Sequence, residues 1–337
     1  MRKLLVVLSA AGILIATAAS ATAAKPGPGT STGVGAVFVP NPVQSLGDQS
    51  LTDQKDADAA VPAAAYHQVT LTNLDGSGFL RGDYAAVVSE TGNRAYSPTN
   101  TFRYTRHQDE FEQVMAYYWI TESQKYIQSL GFGVTRRAID NQPQRVRINQ
   151  WGLDNSFATD HPKNELRFGK GGVDDAEDAE VILHEYGHSV QDNQVPGFGS
   201  SPEAGAIGEG FGDYLAVTVS AHEAPTADEP CVADWDSTSY TSTVPHCLRR
   251  VDGDKHYPED LEGEVHADGE IWSRALWDIR TALGPKLADT IIIRAQFGFA
   301  ADTTMRAAAA ATIATAGMYG GTAKRAVTAA SVARGLA

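Results

Sequence analysis

The segment from Ala176 to Val190 carries His184-Glu185-Tyr186-Gly187-His188 at its centre, and it constrains the fold more than any other stretch. Ala179, Ile182, Leu183, Tyr186 and Val190 recur at helical spacing, which predicts a helix with one apolar face. Gly171-Gly172 precede it, Asp174 or Asp175 can cap its start, and acidic residues in its first turns suit the positive end of the helix dipole. Residues four apart on a helix lie one turn apart on one face, so His184 and His188 aim two imidazoles at one point. Glu185 lies about 100° round the helix, beside that point but free of it. Two neutral nitrogens, an adjacent carboxylate and an open coordination position are the parts of a hydrolytic zinc centre. An exposed helix can carry two histidines without any such role, but the capped, amphipathic flanks argue for the metal. Gly187 is the one weak helix former, as expected where a metal or a neighbouring backbone comes close.

A second helix is expected over Glu203 to Ala216, with Ile207, Phe211, Tyr214 and Leu215 as its apolar stripe. Glu209 and Asp213 fall on one face of it. Two histidines and a glutamate form a known catalytic zinc set, so Glu209 supplies the third ligand. Asp213 can accept the proton on a ligand histidine's other nitrogen and so orient the ring. The bland reading is a solvated acidic face. Glycines at 208, 210 and 212 argue against it, because they weaken a helix unless close packing compensates.

HEYGH at 184–188 followed by EAGAIGEGFGDYLA at 203–216 resembles the thermolysin-like clan of zinc metallopeptidases, the gluzincins. The HEYGH spelling, Gly263 to Trp272, and the stretch from Phe111 to Leu130-Gly131-Phe132 are similar to its fungalysin-like branch. The tail, with Ala307 to Ala316 and Gly335-Leu336, resembles the clan's helical C-terminal domain. The resemblance runs from about residue 100 to the end and is specific around the three motifs. It implies an α+β, two-lobe metallopeptidase with zinc between a mixed sheet-and-helix N-terminal lobe and a mostly helical C-terminal lobe.

The resemblance also implies roles. His184, His188 and Glu209 match the metal ligands, Glu185 the general base, Asp213 the aspartate behind a ligand, and His266 the histidine that stabilises the transition state. In that scheme Glu185 draws a proton from the attacking water and passes it to the leaving amine. Asp260, Glu262 and Glu264 are all open as the carboxylate that orients His266. Arg145-Val146-Arg147-Ile148-Asn149 alternates as a strand. A hairpin is expected from Asn155-Ser156-Phe157-Ala158 through a turn at Asp160-His161-Pro162 to Glu165-Leu166-Arg167-Phe168. In the family an edge strand here binds substrate as an added strand, which makes Asn155 and Ala158 the candidate substrate contacts. Relatives also tend to bind calcium, and two acidic runs offer oxygen ligands: Asp174, Asp175, Glu177 and Asp178, and the stretch Asp252, Asp254, Glu259, Asp260, Glu262 and Glu264. There are departures. The thermolysin branch has a tyrosine shortly before the glutamate ligand where this chain has Ser200. Fungalysin-like members carry a large inhibitory propeptide, where this sequence has a short segment before the matching region.

Composition bounds the setting. Met1 to Ala24 reads as a secretory signal: Arg2 and Lys3, an apolar core from Leu4 to Ile15, and a small-residue cleavage site at Ala21-Thr22-Ala23 or one residue on. The formal net charge of −14 becomes about −16 once Arg2 and Lys3 are removed. That disfavours nucleic acid and anionic membranes as partners and leaves protein or peptide substrates for an extracellular monomer. Cys231 and Cys247 are the only cysteines, and in an oxidising compartment they are expected to form a bridge. The segment His222 to Pro258, rich in Asp, Ser, Thr and Pro, reads as a surface excursion that this bridge clips. Four segments are expected: signal 1–24, leader or linker 25–64, N-terminal α+β lobe 65–195, and helical C-terminal lobe 196–337. Two rivals are a zinc aminopeptidase, with Glu203 available to capture a free amine, and a catalytically silent zinc-binding module.

Overall fold

The computed structural model describes residues 31–337 apart from 89–91, 141 and 160–163. The expected signal Met1 to Ala24 and the turn at Asp160-His161-Pro162 therefore lie outside the described residues. The chain adopts the expected α+β organisation, with short strands and a long helix first and helices thereafter.

The first sheet corrects the reading of 25–64 as leader. Strand β1 (Ser31–Val37) is its central strand, antiparallel to β2 (His67–Leu74) and parallel to β4 (Thr101–Phe102). Phe38, Val43, Leu51, Val61 and Ala65 are all buried in the main core. The composition looked like a linker because this strand needs small residues. A Cβ on Gly33 would stand 2.5 Å from the Asn100 carbonyl oxygen, and one on Gly35 2.8 Å from Val114 Cγ1. The short helix α1 (Pro42–Leu46) is capped by Asn41, whose side-chain amide also donates to Asp178. The segment thus braces the start of the catalytic helix.

Strand β3 (Ala85–Val87) opens the second sheet, ordered β3-β5-β7-β6, with β5 (Gln144–Arg147), β6 (Phe157–Thr159) and β7 (Glu165–Arg167). The first three of these run parallel, and β6 returns antiparallel to β7 at the edge. Helix α2 (Asp109–Ser129) packs against β1, β3 and the catalytic helix α3 (Ala179–Gln194). Being covered on most sides it buries polar groups too, among them Gln124, whose side chain donates to the Ile139 carbonyl and accepts from the Tyr186 hydroxyl.

Asp178 caps α3, accepting from the Glu180 amide at 2.9 Å. Asp174 and Asp175, the expected caps, instead precede and open a 3₁₀ turn over Asp175–Glu177. Helix α4 (Pro202–Glu223) crosses α3 where Gly187 meets Gly212; a Cβ on Gly187 would lie 2.9 Å from Gly212 Cα. It crosses α5 (Val265–Leu283) at a second pair, since a Cβ on Gly210 would meet the Gly269 carbonyl oxygen at 2.4 Å. The glycines that weaken α4 as a helix are what let its neighbours sit backbone to backbone. Helices α6 (Pro285–Gln296), α7 (Met305–Gly317) and α8 (Gly321–Ala333) complete the helical half. Among the described residues no helix is long and apolar enough to cross a membrane.

The stretch between α4 and α5 is more than a surface excursion. Strand β8 (Cys231–Val232) pairs with β9 (Arg249–Arg250), and Cys231 to Ser237 are buried, with Trp235 fully so. The Cys231–Cys247 disulfide closes this loop, with an S–S distance of 2.06 Å.

Candidate active site

Helices α3 and α4 bring three metal-binding side chains together. His184 Nε2 lies 3.2 Å from His188 Nε2 and 3.1 Å from Glu209 Oε2, and His188 Nε2 lies 3.5 Å from Glu209 Oε1. A tetrahedral zinc ion with bonds of about 2.0–2.1 Å has ligand–ligand edges of about 3.3 Å. With Oε2 toward His184 and Oε1 toward His188, the spacings are close to those such an ion requires. Glu209 Oε2 is buried without a hydrogen-bond partner, which the ion would supply. Two imidazoles and a carboxylate are donors of the right chemistry, and this set fits zinc.

Asp213, one turn beyond Glu209, fixes the first ligand. Its Oδ1 lies 2.8 Å from His184 Nδ1, which places the ring proton there and leaves Nε2 with its lone pair toward the metal position. Arg249 clamps the same carboxylate from the other side, donating from Nε and Nη2 at 2.7 Å each. Burial opposes ionisation of Asp213, but Arg249 and His184 outweigh it and hold the carboxyl well below the usual carboxylate range. Burial likewise opposes the charge on Glu209, and His188, His184 and His266 overcome it. Sequence reasoning missed Arg249, because nothing marks an arginine that reaches back 36 positions to its partner.

Glu185 sits in the wall of the cleft, 6% exposed, and burial pushes its carboxyl up to about 7. The Ala158 backbone, on the edge strand β6, hydrogen-bonds to it. His266, in the first turn of α5, faces the ligands from across the cleft, with Nε2 3.3 Å from Glu209 Oε2. Its Nδ1 lies 2.6 Å from Glu264 Oε1. Of the three open carboxylates the structure therefore pairs Glu264 with His266. Glu264 also caps α5, accepting from the Ala267 amide at 2.9 Å, so one side chain fixes both helix start and imidazole. Burial opposes its charge, but the hydrogen bonds from His266 and the Ala267 amide outweigh it and hold the Glu264 carboxyl down to about 2.

Two cavities meet at this wall. One, of about 280 Å³, is lined by Asp175, Val181, Val232, Asp236, Leu248 and Arg249, and the other, of about 370 Å³, by Phe157, Ala158, His188, Phe198, Gly199 and Glu209. Both include Asn155, Ser156, His184, Glu185 and His266, so the cleft continues on either side of the metal position. Asn155 is exposed at the junction, and Ala158 lies on the outer strand of its sheet. Ser200 is exposed, and the neighbouring Ser201 caps α4.

Of the two acidic runs expected to offer calcium ligands, five acids of the later one pair with bases. Asp252 pairs with Arg250, Asp254 with Arg334, Asp260 with His256, Glu262 with Lys255 and Glu264 with His266.

Comparison with known proteins follows the same lines. Residues 137–288 match the family model described as Fungalysin metallopeptidase (M36). Extracellular metalloproteinase 2 of Arthroderma otae is 27% identical over 150 residues, covering 42% of this chain and 21% of that protein. Extracellular metalloproteinase MEP of Fusarium vanettenii is 28% identical over 158 residues, with the same coverage of both chains. The matched region thus spans about a fifth of the length of these curated relatives. The solved precursor of protealysin, a metalloproteinase from Serratia proteamaculans, superposes with a TM-score of 0.53 at 18% identity, over 67% of this chain and 79% of that one, a likeness of fold. Residues 137–288 are thus similar in sequence to fungalysin metallopeptidases, and the fold is similar to that of the protealysin precursor.

Proposed function

We propose that this chain is a secreted zinc endopeptidase in which His184, His188 and Glu209 hold the ion. The observation that carries the reading is the near-tetrahedral spacing of their donor atoms, with Glu185 beside them and His266 opposite. Zinc bound there supplies a Lewis acid that acidifies water and polarises a peptide carbonyl. Glu185 takes a proton from the attacking water and hands it to the leaving amine. Glu264 holds His266 by Nδ1, so that a second ring proton makes Nε2 a donor to the oxygen on which charge develops. Asp213 and Arg249 keep His184 in its ligand tautomer. Asn155 and the outer edge of β6 dock the peptide as an added strand.

The two-sided cleft favours cutting within a chain, since substrate residues find room on both flanks of the metal position. An aminopeptidase needs an acid waiting for a free amine, and Glu203 is engaged elsewhere: it accepts from the Met305 amide at 2.8 Å and packs at the start of α4. A silent module would have a missing or displaced base, whereas Glu185 stands in the cleft wall. The extracellular setting rests on the sequence signal at Met1 to Ala24 and on the printed names of the relatives.

The test is hydrolysis of casein and of a peptide blocked at its N-terminus, with and without a zinc chelator, beside Glu185→Gln. Chelator-sensitive cleavage of both is expected. Glu185→Gln should bind one zinc and lose activity by at least about 10²-fold. Full activity in that variant would refute the assignment, and cleavage confined to peptides with a free N-terminus would refute the endopeptidase reading.

A further inference from the structure

We propose that Asp154, Asp175 and Asp236 form a second cation site, for calcium, at the base of the cleft beside Glu185. The three residues come from separate segments. Asp154 lies just before Asn155 and β6, Asp175 opens the 3₁₀ turn before α3, and Asp236 opens the 3₁₀ turn that follows β8. Yet each offers a carboxylate oxygen, and these oxygens all lie within 4.8 Å of one another. Oxygens no more than 4.8 Å apart are close enough to share one ion at calcium's bond length of about 2.3–2.6 Å. Calcium accepts about six to eight oxygens in flexible geometry, whereas magnesium demands a near-ideal octahedron, so a set gathered from three segments suits calcium. An all-oxygen set also selects a hard cation over zinc or copper.

A second, independent observation points to a ligand. Asp175 and Asp236 are 2% and 3% exposed, and Oδ1 of each has no hydrogen-bond partner. Hydroxyls reach the cluster at its rim, with Ser156 donating to Asp175 Oδ2 and Tyr240 to Asp154 Oδ1. Among the other buried acids, Glu177, Asp213 and Asp289 have a guanidinium, and Asp178 and Glu180 are each held by several amide and hydroxyl donors. Among the described residues no lysine, arginine or histidine forms an ion pair with Asp154, Asp175 or Asp236. The charges that act on them most are other acids, Asp53 and Asp178 included. Burial, with repulsion from neighbouring acids, pushes Asp154 up to about 6 and Asp175 up to about 7, and Asp236 well above its usual range. A bound divalent ion removes that conflict. The cavity of about 280 Å³ that reaches Asp175, Asp236 and Tyr240 opens a path for the ion and for waters that complete its shell.

Of the first acidic run, only Asp175 takes part, so this ligand set is not a charge run. The ion would tie the loop carrying Asn155 to the start of α3 and to the disulfide-closed segment. The inference does not depend on the peptidase reading, because binding is measured directly. The full zinc-loaded chain, dialysed against a calcium-selective chelator, is titrated with Ca²⁺ by calorimetry. Tb³⁺ serves as a luminescent stand-in excited through Tyr240, whose hydroxyl sits on Asp154. One equivalent of calcium beyond zinc is expected, with terbium emission that calcium displaces and a melting temperature that rises with calcium concentration. Asp236→Asn and Asp154→Asn should each weaken uptake at least about tenfold, since affinity follows ligand charge. Asp252→Asn, which lies in the base-paired run, should leave uptake unchanged. Absence of uptake by the unmodified chain up to about 10 mM calcium, above the range of weak extracellular sites, would overturn the proposal. So would equal uptake by all three variants, or stabilisation by lysyl or arginyl peptides but not by calcium, which would make the acids a recognition pocket for a basic side chain.

Discussion

Replacing Gly212 by alanine separates two opposite expectations. Helix propensity alone makes Gly212→Ala favourable by about 1 kcal/mol, because residue 212 lies inside α4. The structure reverses the sign. A methyl carbon at 212 would stand 2.7 Å from His184 Nδ1, 2.9 Å from Cε1 and 3.0 Å from Cγ, so it would overlap the face of the ligand ring. The ring has little freedom to yield, since Nδ1 is held by Asp213 at 2.8 Å and Gly187 brings α3 against α4 just beneath. Overpacking of this kind costs about 1–3 kcal/mol, so the net effect is a loss of up to about 2 kcal/mol. The metal site should suffer more, because tilting a ligand histidine off its aspartate weakens metal binding by about 10–100-fold. Gly208→Ala is the internal control. It lies in the same helix, but its Cβ would meet nothing nearer than His188 Nδ1 at 3.5 Å, an ordinary contact. It should gain up to about 1 kcal/mol and keep its zinc. Urea unfolding of both zinc-free variants gives the stabilities, and competition with a chromogenic chelator gives the affinities. If Gly212→Ala matches Gly208→Ala in both measurements, the argument that close packing demands glycine there is wrong.

Asp213→Asn should weaken zinc binding by about 10–100-fold. It should also destabilise the fold by about 3–5 kcal/mol in urea melts, because it leaves Arg249 buried without its counter-charge. His266→Ala should retain zinc and lower turnover of a blocked peptide by about 10²–10³-fold, as for loss of one oxyanion donor. Glu264→Gln should lose less, since an amide oxygen can still accept from Nδ1; equal losses in the two variants would refute a purely orienting role for Glu264. Replacing Cys231 and Cys247 together by serine should lower unfolding free energy by about 3 kcal/mol, the chain-entropy value for a loop closed across 16 positions. Burial pushes the Asp140 carboxyl up to about 7. From the usual value near 4 up to that point the unfolded chain releases this proton while the folded chain keeps it, so stability should fall as pH rises, by up to about 1.4 kcal/mol per unit. Asp140→Asn should flatten that slope in urea melts across the same window.

The candidate centre was legible in sequence to the extent that it is built from local spacings. The i, i+4 pairs His184/His188 and Glu209/Asp213 face each other's helices because helix geometry leaves them no other arrangement. Glu264 was not separable from Asp260 and Glu262 by spacing. What selects it is its place as the α5 cap, which fixes a carboxylate within reach of a histidine two residues on. Arg249 and β1 were not legible at all. One pairs across the fold, and the other hides a core strand in a glycine- and alanine-rich stretch whose small residues answer to Asn100 and Val114.

The acids make the same point from the other side. A run such as 252–264 stands out in sequence, yet proximity along the chain also brings counter-ions, and Asp252, Asp260, Glu262 and Glu264 each find a base within seven residues. Asp154 and Asp236 belong to no such run, and they reach Asp175 only through the fold. Concentrating three carboxylates without a base opposes folding unless something neutralises them. A cluster assembled at that expense from three segments, with two buried oxygens unbonded, is therefore a stronger sign of a cation than a longer acidic run most of whose acids already pair with bases.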